Sequence, residues 1–159
     1  MLRNKSLLMA ILLSVSSSLS AATLKVDFEL PEFNVANYNA PYVAIWLEAK
    51  ESKETLLLWH LKRADKDKWL VDIRRWWRKL GRYGETADGI TGATKGPGKY
   101  SETFQLPELQ AFTFYIEVVR EDGGRTLVKQ AIDLTDSVNT YHFDPENELG
   151  GLTLTIGEK

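Results

Sequence analysis

The densest run of chemistry-bearing residues is Tyr83-Gly84-Glu85-Thr86-Ala87-Asp88-Gly89-Ile90-Thr91-Gly92-Ala93-Thr94-Lys95-Gly96-Pro97-Gly98-Lys99-Tyr100-Ser101, with five glycines between positions 83 and 98. A glycine-rich turn can aim several backbone N–H groups at a phosphate. Small residues beside a hydroxyl let a bulky group approach the backbone. Lys95 or a nearby arginine supplies the charge that screens such an anion. A loop of this length inside a compact domain is usually functional or disordered. The plainer reading is a surface turn, because Gly-Pro-Gly is ordinary loop chemistry.

Other chemistries are thinly represented. The chain has no cysteine, which excludes thiolate zinc sites, iron–sulfur clusters, c-type haem attachment and thiol catalysis. His60 and His142 are the only histidines, and neither has a second strong ligand at zinc spacing. Asp144-Pro145-Glu146-Asn147-Glu148 offers hard oxygens but no recognised calcium loop. No Gly-x-Ser-x-Gly elbow is present, so hydrolase activity has no support. Any redox chemistry would need a bound organic cofactor.

The elements around the loop are mostly strands. Thr23 to Leu30 alternates, with Leu24, Val26, Phe28 and Leu30 on one side and Lys25, Asp27 and Glu29 on the other, which reads as a half-buried strand. Tyr42 to Glu48 and Thr55 to His60 read as a pair joined by a hairpin loop at Glu51-Ser52-Lys53-Glu54. Phe112 to Val119 and Thr126 to Leu134 are two more, joined at Glu121-Asp122-Gly123-Gly124, where adjacent glycines are expected to supply positive φ. Leu152 to Ile156 closes the chain. These six antiparallel strands predict a mainly β fold, an immunoglobulin- or transthyretin-like sandwich with one inserted helix and a long Gly-rich loop. Parallel βαβ order is not expected. The helix is marked by Trp69, Ile73, Trp76, Trp77 and Leu80, with Asp65 or Asp67 as its cap and Gly81 as its stop.

Length and charge set the address. Arg3 and Lys5, the apolar run Leu7 to Leu13 and the small residues ending Ser20-Ala21-Ala22 form a secretory signal peptide. Residues 1–22 are expected to be removed near Ala22, leaving 23–159 as a single periplasmic domain with no transmembrane segment. Loss of the two leader cations takes the net charge from −2 to about −4, which argues against general nucleic-acid binding. Residues 60–82 nevertheless hold nine Lys or Arg against three Asp. That local excess is the main compositional anomaly.

Asp88-Gly89-Ile90-Thr91-Gly92-Ala93-Thr94 resembles the motif modified by bacterial flavin transferases: Asp, two variable residues, Ser or Thr, Gly, Ala, Thr. It is known from FMN-carrying subunits of sodium-translocating NADH:quinone oxidoreductase and Rnf-type complexes. The resemblance covers seven residues; the rest of the chain does not look like the FMN-binding domain that usually holds the motif. It implies that Thr94 accepts FMN as a phosphoester, from FAD, outside the cytoplasm and with a magnesium-dependent transferase. Asp88, Thr91, Gly92 and Ala93 would form the recognition frame and Lys95 would screen the phosphate. A threonine hydroxyl suits a stable phosphoester, and a covalent tether prevents loss of the cofactor outside the cell.

Aromatic and basic residues flank this segment. Trp77, Tyr83 and Tyr100 are the candidates to touch a flavin, and Arg78 and Arg82 to hold phosphate. The competing reading makes Trp69, Ile73 and Trp76 core. It makes the side carrying Arg74, Arg75, Arg78 and Arg82 a solvated face, or one for anionic lipid or an acidic partner.

The whole mature chain also resembles the predicted periplasmic family of domain of unknown function 2271. The resemblance rests on Tyr42-Val43-Ala44-Ile45-Trp46, the tryptophan-bearing helix, Gly92-Ala93-Thr94 with Pro97-Gly98, and Tyr115 to Arg125 ending Arg120-Glu121-Asp122-Gly123-Gly124-Arg125. It implies a setting of flavin transferases and PepSY-domain membrane proteins. Two functions follow. One is a periplasmic electron-transfer flavoprotein, a redox module rather than a self-sufficient enzyme, carrying FMN on Thr94 and working with a membrane PepSY-type reductase. The other is a non-redox binding or adaptor domain using the basic helix and loop as its partner surface.

Overall fold

The computed structural model describes residues 22–61, 67–83 and 91–157. The expected signal peptide before Ala22, Asp65 and Asp88 lie outside the described residues. Among the described residues nine strands form two sheets: β1 (Thr23–Leu30), β2 (Tyr42–Glu48), β3 (Lys53–Trp59), β4 (Thr91–Gly92), β5 (Gly98–Gln105), β6 (Ala111–Val119), β7 (Arg125–Asp133), β8 (Thr140–Phe143) and β9 (Leu152–Gly157). The first sheet has the order β5-β1-β9-β8 and the second β4-β3-β2-β6-β7. The fold is the expected β-sandwich. Ala22, at the expected cut, is itself buried, and its carbonyl accepts the Leu106 N–H at 2.8 Å.

The alternation in β1 works as read. Leu24, Val26, Phe28 and Leu30 are buried against the inner face of the second sheet, including Val43, Ile45, Leu47, Phe114, Ile116 and Val118. β2 does not alternate, because both faces of its sheet are covered. Its other side chains, Tyr42, Ala44 and Trp46, join Leu58, Ile73, Trp76 and Tyr115 in a second core under the helical segment. A bulge between Ile45 and Trp46 pairs them with Leu57 and Thr55, leaving Leu56 as the extra residue. That is why Leu56 and Leu57 both reach the inner core.

The helical segment departs from the expectation of one regular helix. Residues Asp67–Asp72 and Gly81–Tyr83 are 3-10 turns around the short α1 (Arg74–Lys79). Bulky aromatic residues make this a poor helix by propensity, and packing decides its shape. Ile73 and Trp76 are fully buried; burial of a side chain like Ile73 contributes about 1.5–3 kcal/mol. Asp67 does not cap α1, since the N-cap position is Ile73 with no side-chain cap. The Glu117 carboxylate on β6 takes that role, accepting the N–H groups of Arg75 at 3.0 Å and Trp76 at 2.9 Å. Gly81 is not the stop itself: α1 ends at Lys79 with Leu80 as its C-cap, and Gly81 opens the following 3-10 turn, where a Cβ would lie 2.5 Å from the Trp76 ring and 2.7 Å from the Trp77 ring.

Three further expectations are corrected. The helical crossover leads into a parallel pair, β3 with β4, so the sandwich is not wholly antiparallel. The long loop is interrupted by β4 at Thr91–Gly92 and cut short by β5, which already contains Tyr100 and Ser101. In the β6–β7 hairpin the positive φ falls on Asp122, at 55°, and not on Gly123 or Gly124. Those glycines make room instead. A Cβ on Gly123 would stand 2.5 Å from the Arg120 guanidinium, and one on Gly124 would stand 2.8 Å from the Glu148 carboxylate. Arg120 and Glu148 form a buried two-bond pair at 2.8 and 3.0 Å, and the Gly124 N–H donates to the same carboxylate.

Candidate functional site

β4 is the edge of one sheet and β5 the edge of the other. Residues 93–97 therefore cross from sheet to sheet over an open side of the sandwich. Thr91 and Gly92 run parallel to Leu58 and Trp59, and the His60 N–H donates to the Gly92 carbonyl at 2.9 Å. Gly92 lies against the Trp59 indole, where a Cβ would be 3.0 Å from Cδ1. The small residue at this place has a packing reason of its own.

Thr94 is half-exposed between exposed Ala93 and Lys95. Its hydroxyl has no hydrogen-bond partner among the described residues. Lys95 turns back over the sandwich edge. Its ammonium sits 4.2 Å from the Trp59 ring centre, 5.2 Å from that of Tyr100 and 3.8 Å from Glu102. Tyr100 packs edge-on against Trp59 at 5.1 Å and tilted on Phe28 at 5.6 Å, while its hydroxyl donates to the Gly96 carbonyl at 2.7 Å. The crossover is thus anchored at Gly92, Lys95 and Gly96, with the Thr94 hydroxyl left free between the anchors.

β5 is tied to β1 beside this crossover. The Asp27 carboxyl is held below the usual carboxylate range, first by a hydrogen bond from Ser101 and then by Lys25, whose ammonium lies 2.9 Å away.

The sequence-based candidates divide into two groups. Thr91, Gly92, Ala93, Thr94, Lys95 and Tyr100 come together around Trp59. Arg78, Arg82 and Tyr83 do not. They line a separate hollow with Lys53, Arg75 and Lys79. Lys53 and Trp59 stand at opposite ends of β3, about 20 Å apart at the rise of an extended strand. Trp77 packs against the second core. Nor do the four arginines form one solvated face: Arg75 is half-buried, donating to the Tyr115 hydroxyl at 3.1 Å and lying over its ring. Arg74 lines another hollow of about 400 Å3 beside the β6–β7 hairpin, with Asp72 and Arg125. Glu102 and Phe28 were missed as neighbours of the loop. The signal for β5 was the spacing of Tyr100 and Phe104, masked by the charged Glu102 between them.

Two face-to-face sheets with a short helical crossover on one of them define a small β-sandwich, and among the described residues no helix is long and apolar enough to cross a membrane. The chain belongs to the DUF2271 family of predicted periplasmic proteins, whose family model matches residues 23–151. The periplasmic address agrees with the export signal read from the first residues. No curated protein and no solved structure matches the chain.

Proposed function

We propose that this periplasmic protein is an electron carrier holding FMN through a phosphoester on Thr94. The observation that carries the reading is the half-exposed Thr94 hydroxyl, without a partner among the described residues, on a crossover with accessible neighbours. A modifying enzyme needs that access, and Ala93, Lys95, Gly96 and Pro97 offer it. In the attachment step the Thr94 oxygen bonds to the FMN phosphorus of FAD. The phosphoanhydride bridge breaks, AMP leaves with the bridging oxygen, and the hydroxyl proton passes to a base of the transferase or to solvent.

The residues present fit the group. Thr94 would hold the phosphate, and the adjacent Lys95 ammonium would offset its charge. Trp59 and Tyr100 form the nearest aromatic surface beneath Lys95. Arg78, Arg82 and Tyr83 are left out of this role by their distance along β3. When bound, FMN supplies one- and two-electron redox chemistry, exchanged with a PepSY-type membrane protein or another redox partner.

Coexpression with an active flavin transferase tests the reading. The expected product is yellow, with an intact-mass gain equal to one FMN phosphoryl ester, and both are lost in Thr94→Ala and Thr94→Val. A colourless, unmodified product beside a transferase that modifies a control substrate overturns it. That result would favour the non-redox adaptor, a reading supported by the cationic hollow below the helix.

A further inference from the structure

The hollow at the other end of β3 has a volume of about 440 Å3 and is lined by Lys53, Arg75, Arg78, Lys79, Arg82 and Tyr83. Five of its six lining residues are cationic and none is acidic. The Glu48 carboxylate lies 3.8 Å from the Arg75 guanidinium and is also engaged by the Trp46 indole N–H, and the buried Glu117 carboxylate is taken up by the Arg75 and Trp76 backbone N–H groups and by Arg125. This concentration sits on a chain whose net charge is −2. Like charges gathered around one concavity repel, and among the described residues only Arg75, through Glu48, has an acidic partner.

The guanidinium groups are also held in place. Arg75 is fixed by the Tyr115 hydroxyl and ring, and its Nε–H is buried without an acceptor among the described residues. Arg78 donates through Nε to the Arg74 carbonyl at 3.2 Å. Arg82 donates to the Tyr83 hydroxyl at 2.7 Å and lies over that ring. Freely solvated arginines would lose rotamer freedom on binding an anion, and these contacts lessen that loss, most of all for half-buried Arg75. Preset planar forks match phosphate oxygens, with which they make two-bond contacts.

We propose that this hollow is a binding site for phosphate oxyanions, distinct from the Thr94 crossover and independent of the flavin reading. Arg78, Arg82, Lys79 and Lys53 supply the accessible donors, and Arg75 sets the field at the base. The same chemistry is offered by free phosphorylated compounds and by the headgroups of an anionic membrane. Exposed Tyr83 in the lining suits the second source, because aromatic side chains enter the interface beside basic ones.

The test uses the protein purified from the periplasm, the Arg78→Gln/Arg82→Gln double variant, and a Lys99→Gln/Lys129→Gln control that removes equal charge elsewhere. Inorganic pyrophosphate binding is measured by calorimetry. Vesicle binding is measured by co-sedimentation with phosphatidylcholine alone and with phosphatidylcholine–phosphatidylglycerol mixtures. The arginine variant is expected to bind at least about tenfold more weakly, the loss of roughly 1.4 kcal/mol, and the control to change by less than about twofold. Pyrophosphate binding without vesicle binding identifies a free phosphate compound as the source. Binding to the anionic vesicles identifies the headgroup. Absence of both, or an equal loss in the control, overturns the site. Unchanged thermal melting of both variants separates these outcomes from misfolding.

Discussion

The Glu117 carboxylate accepts the backbone N–H of Trp76 at 2.9 Å across 41 residues of sequence. It also accepts the Arg75 N–H and the Arg125 Nε–H, the latter at 2.7 Å, while remaining fully buried. One strand residue thus caps the first turn of α1 and ties it to β7. Glu117→Ala leaves two helix N–H groups without their acceptor and Arg125 without its partner. The expected loss of stability is about 2–4 kcal/mol, read as a lower urea midpoint. Glu117→Gln should recover part of it. A loss below about 0.5 kcal/mol for the alanine variant would remove Glu117 from this role.

Gly123 and Gly124 are expected to be intolerant for steric reasons. Gly123→Ala drives a methyl into the Arg120 guanidinium, which cannot swing away because Glu148 holds it in a buried pair. The cost expected is about 1–3 kcal/mol. In an Arg120→Met background the same change should cost clearly less, since the close contact is then with a flexible apolar chain. Equal costs in the two backgrounds, in a double-mutant cycle, would point to backbone strain instead.

Acid sensitivity has a defined direction. Asp27 is held below the usual carboxylate range by Ser101 and then Lys25, and Asp133 by the hydroxyl and the backbone N–H of Thr135. Both folded-state values lie below the unfolded value of about 3.9. Their contribution is therefore complete above that value and fades as the pH falls through the folded ones. Urea midpoints measured between pH 5 and pH 2 should show the loss, with a shallower slope below about pH 4 for Asp27→Asn/Asp133→Asn. The same slope in the variant would assign acid sensitivity to other groups.

Thr94 is expected to be dispensable for folding. Its hydroxyl has no partner among the described residues, so Thr94→Val should shift stability by no more than about 0.5 kcal/mol, while abolishing the flavin attachment proposed for it. Lys95→Met keeps the aliphatic stem over Trp59 but removes the cation. It is expected to alter Trp59 emission and to cost at most about 1 kcal/mol. If Thr94→Val unfolds the protein, the hydroxyl is structural and loss of modification in that variant carries no weight.

The sequence by itself determined the strands whose two faces differ. Leu24, Val26, Phe28 and Leu30 on β1 announce their side of the core because period two is a local property of an extended chain. The apolar run of β2 also declared a strand, though not that a second layer covers it. The sandwich and the periplasmic address followed from such local signals. Tertiary structure decided the rest. It broke the tryptophan helix, because Trp76 must enter a pocket that Gly81 vacates and Glu117 must reach the N–H groups from another strand. It set β5 beside β1 although Glu102 interrupts its apolar side. It also split the candidate site, gathering Thr94, Lys95 and Tyr100 at Trp59 and sending Arg78, Arg82 and Tyr83 to the far end of β3. Nearness in sequence gave no warning of that division, because the helical segment and β4 meet β3 at its opposite ends.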